Sequence, residues 1–327
     1  GWGAMGEKDP REGRGYPSGE RISGDFPRPP GPRGGEPGVG GPRKPPEDFR
    51  CFEEIRSFVH RHTGIFLGDQ KRMQVFRHVR ERMGVLGIDR EERFINHLRF
   101  FDPQRKEFQV LINRVTVNET YFFRDFPQLQ SFAEDCLPEL VAGCRRGGRR
   151  GLRVLSAGCA TGEEPYTLAI ILREMLEEEG LPFEVVAVDI NDSVLERARR
   201  GRYGRRAVKD VPKAYLDRHF HRVGEHFVLR DETKRPVSFF LGNLADPQDM
   251  GQLGPDFDVV FCRNVLIYFD DEARQRMVEQ LFHHLRPGGY IFLGHAEPVS
   301  RMSSRFRVKR TRGMVLYQKP LFGRGAT

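Results

Sequence analysis

The sequence predicts an α/β protein in which an open, mostly parallel sheet carries helices on both faces and a small all-helical domain precedes it. Three observations predict this. From residue 152 onward, short β-rich runs alternate with helical patterns, and such alternation builds a parallel sheet. Residues 47–115 instead hold apolar side chains three and four positions apart, the spacing of amphipathic helices. Between the first β-rich run and the helix after it stands SAGCATGEEPYT, residues 156–167. A strand that ends in a small-residue turn and opens straight into a helix leaves backbone N–H groups unpaired at the helix start, which makes a ready nucleotide pocket.

Taken in order, residues 1–46 are dominated by Gly, Pro and Arg, with almost no large apolar side chains. They cannot bury enough surface to offset the entropy of ordering and read as a disordered tail. The helical domain spans residues 47–126. Phe49, Phe52, Ile55 and Val59 mark its first helix, and Met73, Phe76, Val79 and Met83 a second over residues 70–83. Phe94, Ile95 and Leu98 mark a third, and Phe108, Leu111, Ile112 and Val115 a fourth. A helix over residues 127–142 and a polar link make up a connection, residues 127–150. Residues 151–320 form the α/β domain, with β-rich runs at 152–156, 183–188, 237–242, 258–262, 290–293, 306–309 and 314–318 and helices at 163–179, 192–200 and 271–285. Residues 201–235 interrupt the alternation with basic, aromatic and strand-like pieces and read as a small inserted antiparallel β-subdomain. Residues 321–327 read as a C-terminal tail.

Length and composition bound the function. A chain of 327 residues with 38% hydrophobic residues can fill two ordinary cores. No apolar run approaches the roughly 18 residues a membrane span needs, and no signal-peptide segment is evident. Cys51, Cys136, Cys144, Cys159 and Cys262 are scattered, odd in number and never in a CxxC pair. Neither a disulfide framework nor a metal site is expected, and a reducing cytoplasm fits. The net charge of +8 divides as +2, +3 and +3 over residues 1–46, 47–150 and 151–327, so the excess is spread out and a solvated surface, not a nucleic-acid footprint, is the default.

The chemistry centres on the turn. A dinucleotide-binding turn places a glycine near the helix start so that pyrophosphate can approach; here Glu163 and Glu164 stand there and would repel it. The same carboxylates suit S-adenosylmethionine, which carries a sulfonium and an ammonium and no phosphate. Gly158 and Gly162 let the backbone approach the ligand, and Pro165 suits the first turn of a helix. Asp189 ends the second β-rich run, where it can accept two hydrogen bonds from a ribose diol or cap the next helix. Asn243 and Leu244 follow the third run and can hold an adenine edge or form a turn. After the fourth run, Arg263, Asn264 and Tyr268 would lie beside the transferable methyl, with a packed structural tyrosine as the other reading of Tyr268. NETYFFRD, residues 118–125, is by composition a capped turn with an aromatic plug. Its position before the α/β domain also lets Asn118, Thr120 and Arg124 reach a ligand held between the domains. The second helix sets Lys71, Arg72, Arg77, Arg80 and Arg82 against Asp69 and Glu81, and is either a solvated face or a docking surface for an acidic partner.

In this order NETYFFRD, SAGCATGEEPYT, VVAVDI, GNL, FDVVFCRNVLIYF and LRPGGYIFLGHAE resemble the CheR family of chemotaxis-receptor glutamate methyltransferases, over about residues 47–320. The resemblance implies a Rossmann-like S-adenosylmethionine-dependent methyltransferase domain, with a small antiparallel β-subdomain inserted in it, behind a helical N-terminal domain. By motif position it puts cofactor contacts on Asn118, Thr120, Arg124, Ala157, Glu163, Asp189, Asn243, Leu244 and Asn264, with Gly158 beside them, and puts Arg124 and Tyr268 at the transferred methyl. It implies that the basic second helix, with Lys71, Arg72, Arg77 and Arg80, docks the acidic helical methylation region of a chemoreceptor-like protein. In some members the β-subdomain also takes a receptor tail peptide. The implied reaction is direct displacement by a glutamate carboxylate on the sulfonium methyl, giving a γ-methyl ester and S-adenosylhomocysteine. A glutamate with a reference pKa of about 4.3 is already ionised at neutral pH, so no general base is required. The alternatives are a methyltransferase acting on nucleic acid and a non-catalytic S-adenosylmethionine-binding scaffold.

Overall fold

The computed structural model describes residues 49–116, 118–294, 304–311 and 314–321. The tail expected at 1–46, the HAE end of the last motif and all but the first residue of 321–327 lie outside the described residues.

Four helices open the fold: α1 (Cys51–Thr63), α2 (Arg72–Leu86), α3 (Glu91–Phe100) and α4 (Lys106–Val115). In α1, Glu53 and Glu54 occupy the first turn and His60, Arg61 and His62 the last, charges that complement the helix dipole at each end. Each helix turns its apolar stripe inward, burying Phe52, Ile55 and Val59 from α1, Val75 and Val79 from α2, Phe94 and Leu98 from α3, and Leu111 and Ile112 from α4. Where the sequence predicts one helix over residues 127–142, the chain forms α5 (Phe126–Ser131), a π-helical turn (Phe132–Cys136) and α6 (Leu137–Arg146). The chain is helical without a gap from 126 to 146, and Pro138, in the first turn of α6, explains the π-helical turn. It has no N–H to donate and its ring presses on the carbonyl four residues back, so an α-helical ladder cannot run through it.

The α/β domain begins with β1 (Leu152–Ala157), α7 (Glu163–Leu176), β2 (Phe183–Asp189) and α8 (Asp192–Arg200). An excursion follows: β3 (Arg202–Gly204), α9 (Lys213–His219), β4 (Phe220–Val223), β5 (His226–Leu229) and α10 (Asp231–Lys234). The main sheet then resumes with β6 (Val237–Leu241), α11 (Pro247–Gly251), β7 (Phe257–Cys262), α12 (Asp271–His284), β8 (Leu285–Leu293), β9 (Arg307–Thr311) and β10 (Met314–Gln318). Its strand order is β6-β2-β1-β7-β8-β10-β9. The strands from β6 to β8 are parallel, and the β10–β9 pair closes the edge antiparallel. The order runs outward both ways from β1, which makes the β1/β7 boundary the switch point at whose carboxyl end such sheets bind ligands. The excursion folds into a separate antiparallel sheet, β3-β5-β4, and also holds two short helices that its strand-like sequence pieces do not announce.

Almost every residue of β1 and β7 is buried, as expected of central strands between two helix layers. On one face, Phe261 stacks on Phe292 with ring centroids 4.5 Å apart, and Phe132 meets Phe261 edge-on at 5.3 Å. On the other, a continuous core runs from Phe52 and Leu111 through Leu266, Phe269 and Met277 to Leu155 and Val260. The helical domain is therefore packed onto the sheet rather than tethered beside it.

Buried Asn191 fastens the two. Its Nδ2 donates to Asn113 O (3.2 Å) and Thr116 Oγ1 (2.8 Å), while its Oδ1 accepts from Val194 N (3.2 Å) and so caps α8. Gln109 Nε2 adds a bond to Ile190 O (2.8 Å), and Asn113 Nδ2 one to Asp192 Oδ1 (2.6 Å). Asn191→Ala removes the cap and leaves the partly buried Asn113 and Thr116 acceptors without this donor, so we expect a loss of roughly 1–3 kcal/mol. A lower urea midpoint at unchanged slope would report it.

Candidate active site

A cavity of about 450 Å³ opens at the carboxyl ends of β1, β2, β6 and β7, with the helical domain forming its opposite wall. That volume suits a ligand of cofactor size. Asn118, Thr120, Arg124, Gly158, Asp189, Asn243, Leu244, Asn264, Tyr268 and Lys71 all line it. Ala157 and Glu163 do not: Ala157 is a core residue at the end of β1, and Glu163 is buried behind the turn with its Oε2 accepting from Thr161 Oγ1 at 2.6 Å. Glu164 faces the cavity in its place.

The turn is shaped by backbone conformations that most side chains avoid. At Gly158 (φ +75°) a Cβ would stand 2.3 Å from Val265 Cγ2, so only glycine lets the turn lie against that side chain. Ala160 (φ 46°) and Asn264 (φ 61°) are left-handed at the same site, and Phe123 (φ 58°) and Asp125 (φ 56°) flank Arg124 in that region too. Such residues cost on the order of 1–3 kcal/mol each and persist only where the surroundings fix them.

A buried network fixes them here. Arg263, at the end of β7 with 3% of its side chain exposed, donates through Nε to Glu164 Oε2 (2.8 Å). Its Nη1 donates to Arg124 O (2.9 Å) and Gln128 Oε1 (3.3 Å), and Ser156 Oγ donates to the other oxygen of Glu164 (2.7 Å). The sequence leads one to expect Arg263 beside a reacting group; it does line the cavity, but its guanidinium is committed to holding the backbone of Arg124 and the start of α7. The two carboxylates expected at the helix start are therefore not both charged groups facing a ligand. Glu164 is neutralised by Arg263, and burial pushes Glu163 up to about 7, against the pull of Thr161. At the start of α7 the two glutamate side chains are thus held by Thr161, Ser156 and Arg263.

The NETYFFRD segment is the aromatic plug its composition suggests, and it also presents residues to the cavity. Phe122 meets Tyr203 (4.8 Å) and Phe220 (5.2 Å) edge-on, and its N–H donates to Ala207 O (2.9 Å), so it anchors the loop in the inserted sheet. Phe123 N donates to Thr167 Oγ1 (3.1 Å) on α7. With both rings buried, Asn118, Thr120 and Arg124 are left along the cavity wall. Arg124 Nη1 donates to Glu119 O (3.0 Å).

Asp189 does not cap α8, a role Asn191 fills. Its Oδ1 accepts from Asn191 N (3.0 Å) and its Oδ2 from Ala160 N (2.9 Å), and the Ile190 N–H also bonds the carboxylate, which leaves about one of its lone-pair sites open in a group that lines the cavity. Burial raises its pKa while these N–H groups pull it down. Asn243 forms the turn after β6 through Ala245 N→Oδ1 (2.9 Å) and lines the cavity as well. Among the described lining residues there is no histidine, and burial pushes the Cys159 thiol well above its usual range. No group of His, Cys, Asp and Glu among the described residues could hold a metal ion.

The basic second helix divides. Lys71 lines the cavity, its Nζ donating to Gln74 Oε1 (3.1 Å) and its pKa lowered by burial. Arg72 is held against Phe49 O (3.0 Å) and the Phe52 ring (5.1 Å), and Arg82 pairs with Glu107 (2.6 Å). Arg77 and Arg80 are exposed. The loop between α1 and α2 adds Ile65, Phe66, Leu67, Gly68 and Gln70 to the cavity wall, residues that the sequence does not single out. Phe66 N donates to Tyr268 O (3.0 Å) and Ile65 bridges to Phe269, contacts between segments so distant in sequence that no local signal foretells them.

S-adenosylmethionine fits these residues: glutamates stand at the start of α7 where a phosphate-binding turn needs glycine, a buried carboxylate with a lone pair to spare ends β2, and Gly158, Asn243 and Leu244 line the same cavity. The cavity thereby defines a class, the S-adenosylmethionine-dependent methyltransferases. The chain belongs to the CheR methyltransferase family: residues 118–315 match the family's S-adenosylmethionine-binding domain and residues 50–116 its all-alpha domain. It is similar to chemotaxis protein methyltransferase 2 of Vibrio cholerae serotype O1, at 38% identity over 84% of this chain and 94% of that protein. It is also similar to the chemotaxis protein methyltransferase of Escherichia coli K12, at 36% identity over 81% of this chain and 89% of that one. The probable biofilm formation methyltransferase WspC of Pseudomonas aeruginosa is 42% identical over 68% of this chain, which spans 50% of its length.

Two outcomes test this geometry. A carboxyl whose folded-state pKa stands above its unfolded one holds its proton more tightly when folded; the contribution of Glu163 is thus full below about 4.5 and lost as pH rises through about 7. Glu163→Gln should abolish that decline, a difference on the order of 3 kcal/mol between chemical denaturation curves at the two ends of the window. Arg263→Ala strands the Glu164 charge and should cost about 3–5 kcal/mol, visible in the same measurement.

Proposed function

We propose that this chain transfers the methyl group of S-adenosylmethionine to glutamate side-chain carboxylates of a chemoreceptor-like protein, forming γ-methyl esters. The observation that carries the reading is a methyl-donor cavity with a guanidinium and a phenol in its wall but no histidine among its described residues, and with its buried carboxylates Glu164 and Asp189 already engaged. An amine or hydroxyl acceptor calls for a base to take its proton; a glutamate, ionised at neutral pH, does not. The names of the relatives support the choice of receptor.

When bound, S-adenosylmethionine would supply a methyl carried on a positive sulfur, to which a carboxylate oxygen can bond as the carbon–sulfur bond breaks and neutral S-adenosylhomocysteine leaves. Asp189 would hold the ribose diol, Asn243 and Leu244 the adenine edge, and Asn118, Thr120 and Asn264 the remaining polar groups. Arg124 orients the incoming carboxylate, its backbone held by Arg263. Tyr268 positions the methyl or the attacking oxygen. Opposite charges cancel as the ester forms, so a site that excludes water favours the reaction and alignment supplies the rest. Arg77 and Arg80, exposed along α2, would meet the acidic helices of the receptor.

Incubation with radiolabelled S-adenosylmethionine and membranes from the source cell should place label on a receptor-sized band, and base should release it as methanol. Label that survives base would point to N-methylation, as on nucleic acid, and no label on any receptor would sink the proposal. Arg124→Ala should lower kcat/KM about 10²-fold. Tyr268→Phe with unchanged turnover would remove Tyr268 from the reaction.

A further inference from the structure

We propose that Phe66 and Ile267 form a lip at the cavity mouth that receives a substrate α-helix carrying an apolar residue on the same face as the glutamate to be methylated. This rests on the glutamate-methylation reading above. Both side chains line the cavity, yet they remain 53% and 47% exposed. Phe66 is held in place from several sides. The Arg56 guanidinium lies 5.3 Å from its ring centroid, the His60 ring meets it edge-on at 6.4 Å, and its N–H is bonded to Tyr268 O at 3.0 Å. Large apolar groups held half-exposed around a pocket are characteristic of docking surfaces, because their burial is completed only by a partner.

The charges around the lip say what the partner is. Lys71 and Arg124 line the cavity behind it, and Arg77 and Arg80 stand exposed further along α2. Acids on the adjoining segments are already paired: Asp69 with Arg56, Glu119 with Arg206 at 3.2 Å, Asp271 with Arg274 at 2.9 Å, and Asp270 hydrogen-bonded to His60 at 2.5 Å. A carboxylate is thus drawn inward across an apolar rim. Glutamate matches, since its two methylenes cross the rim while its carboxylate goes on; aspartate, one methylene shorter, stops short. On a helix, residues three and four positions from the glutamate share its face and come down on Phe66 and Ile267, where an apolar side chain is favoured and a charge is not.

The test is steady-state kinetics of Phe66→Ser, Ile267→Ser and Phe66→Leu with receptor-containing membranes, alongside calorimetric affinity for S-adenosylhomocysteine. The two serine variants should raise KM for receptor at least tenfold, with most of the loss in kcat/KM appearing in KM. Phe66→Leu should stay within about twofold of wild type, and S-adenosylhomocysteine should bind all three as it binds wild type. Unchanged KM in both serine variants overturns the lip. So does a fall in kcat alone, which would mean that Phe66 acts through Tyr268. If the wild type itself puts no base-labile methyl on receptor, the glutamate reading fails first, and the two failures are told apart.

Discussion

At the carboxyl ends of the neighbouring strands β1 and β7, a guanidinium meets a carboxylate with only 3% and 12% of their side chains exposed. Taking two charges out of water costs several kcal/mol per ion, and attraction offsets this only when the remaining donors and acceptors are also filled. Arg263 and Glu164 meet that condition through Ser156, Gln128 and the carbonyl of Arg124. Because each of those partners lies on a different segment, the pair sets the register of the turn, the start of α7 and the loop of Arg124 at once. The left-handed residues on either side of Arg124 are tolerable for the same reason.

Much of this fold is written in local pattern. The stripes of α1 to α4 and the β-rich runs of the central strands follow from spacing alone, and α8 and β10 lie where the pattern puts them. The departures have local causes with non-local weight. Pro138 puts a π-helical turn into a helix that runs on past it, and β8 starts upstream of its apolar segment because Leu285 pairs with Phe257 ahead of a bulge. The short helices between β3 and β6 carry too few residues to show a period.

The site was legible where topology alone decides: side chains at strand ends in a parallel sheet converge, and Gly158, Asp189, Asn243, Asn264 and Tyr268 share a cavity on that account. It was illegible where rotation or distant contact decides. Glu163 and Glu164 are neighbours in sequence but about 100° apart around α7, and only the packed helix says that the second faces the cavity. The wall given by residues 65–71 depends on a pairing with Phe269 that no motif encodes.

Asn191 lies two residues past Asp189, whose Oδ1 accepts its N–H, and its side chain holds the end of α4. The part of the cavity with Asp189 and the domain that bears α2 thus share a joint at Asn191, beside the Gln109–Ile190 and Asn113–Asp192 bonds. Any change in free energy that a ligand at Asp189 transmits through that joint must be matched by an equal change for a protein docked on α2, since coupling between two sites is reciprocal. To the extent that this joint couples them, methyl donor and docked protein would each set part of the affinity with which the other is held.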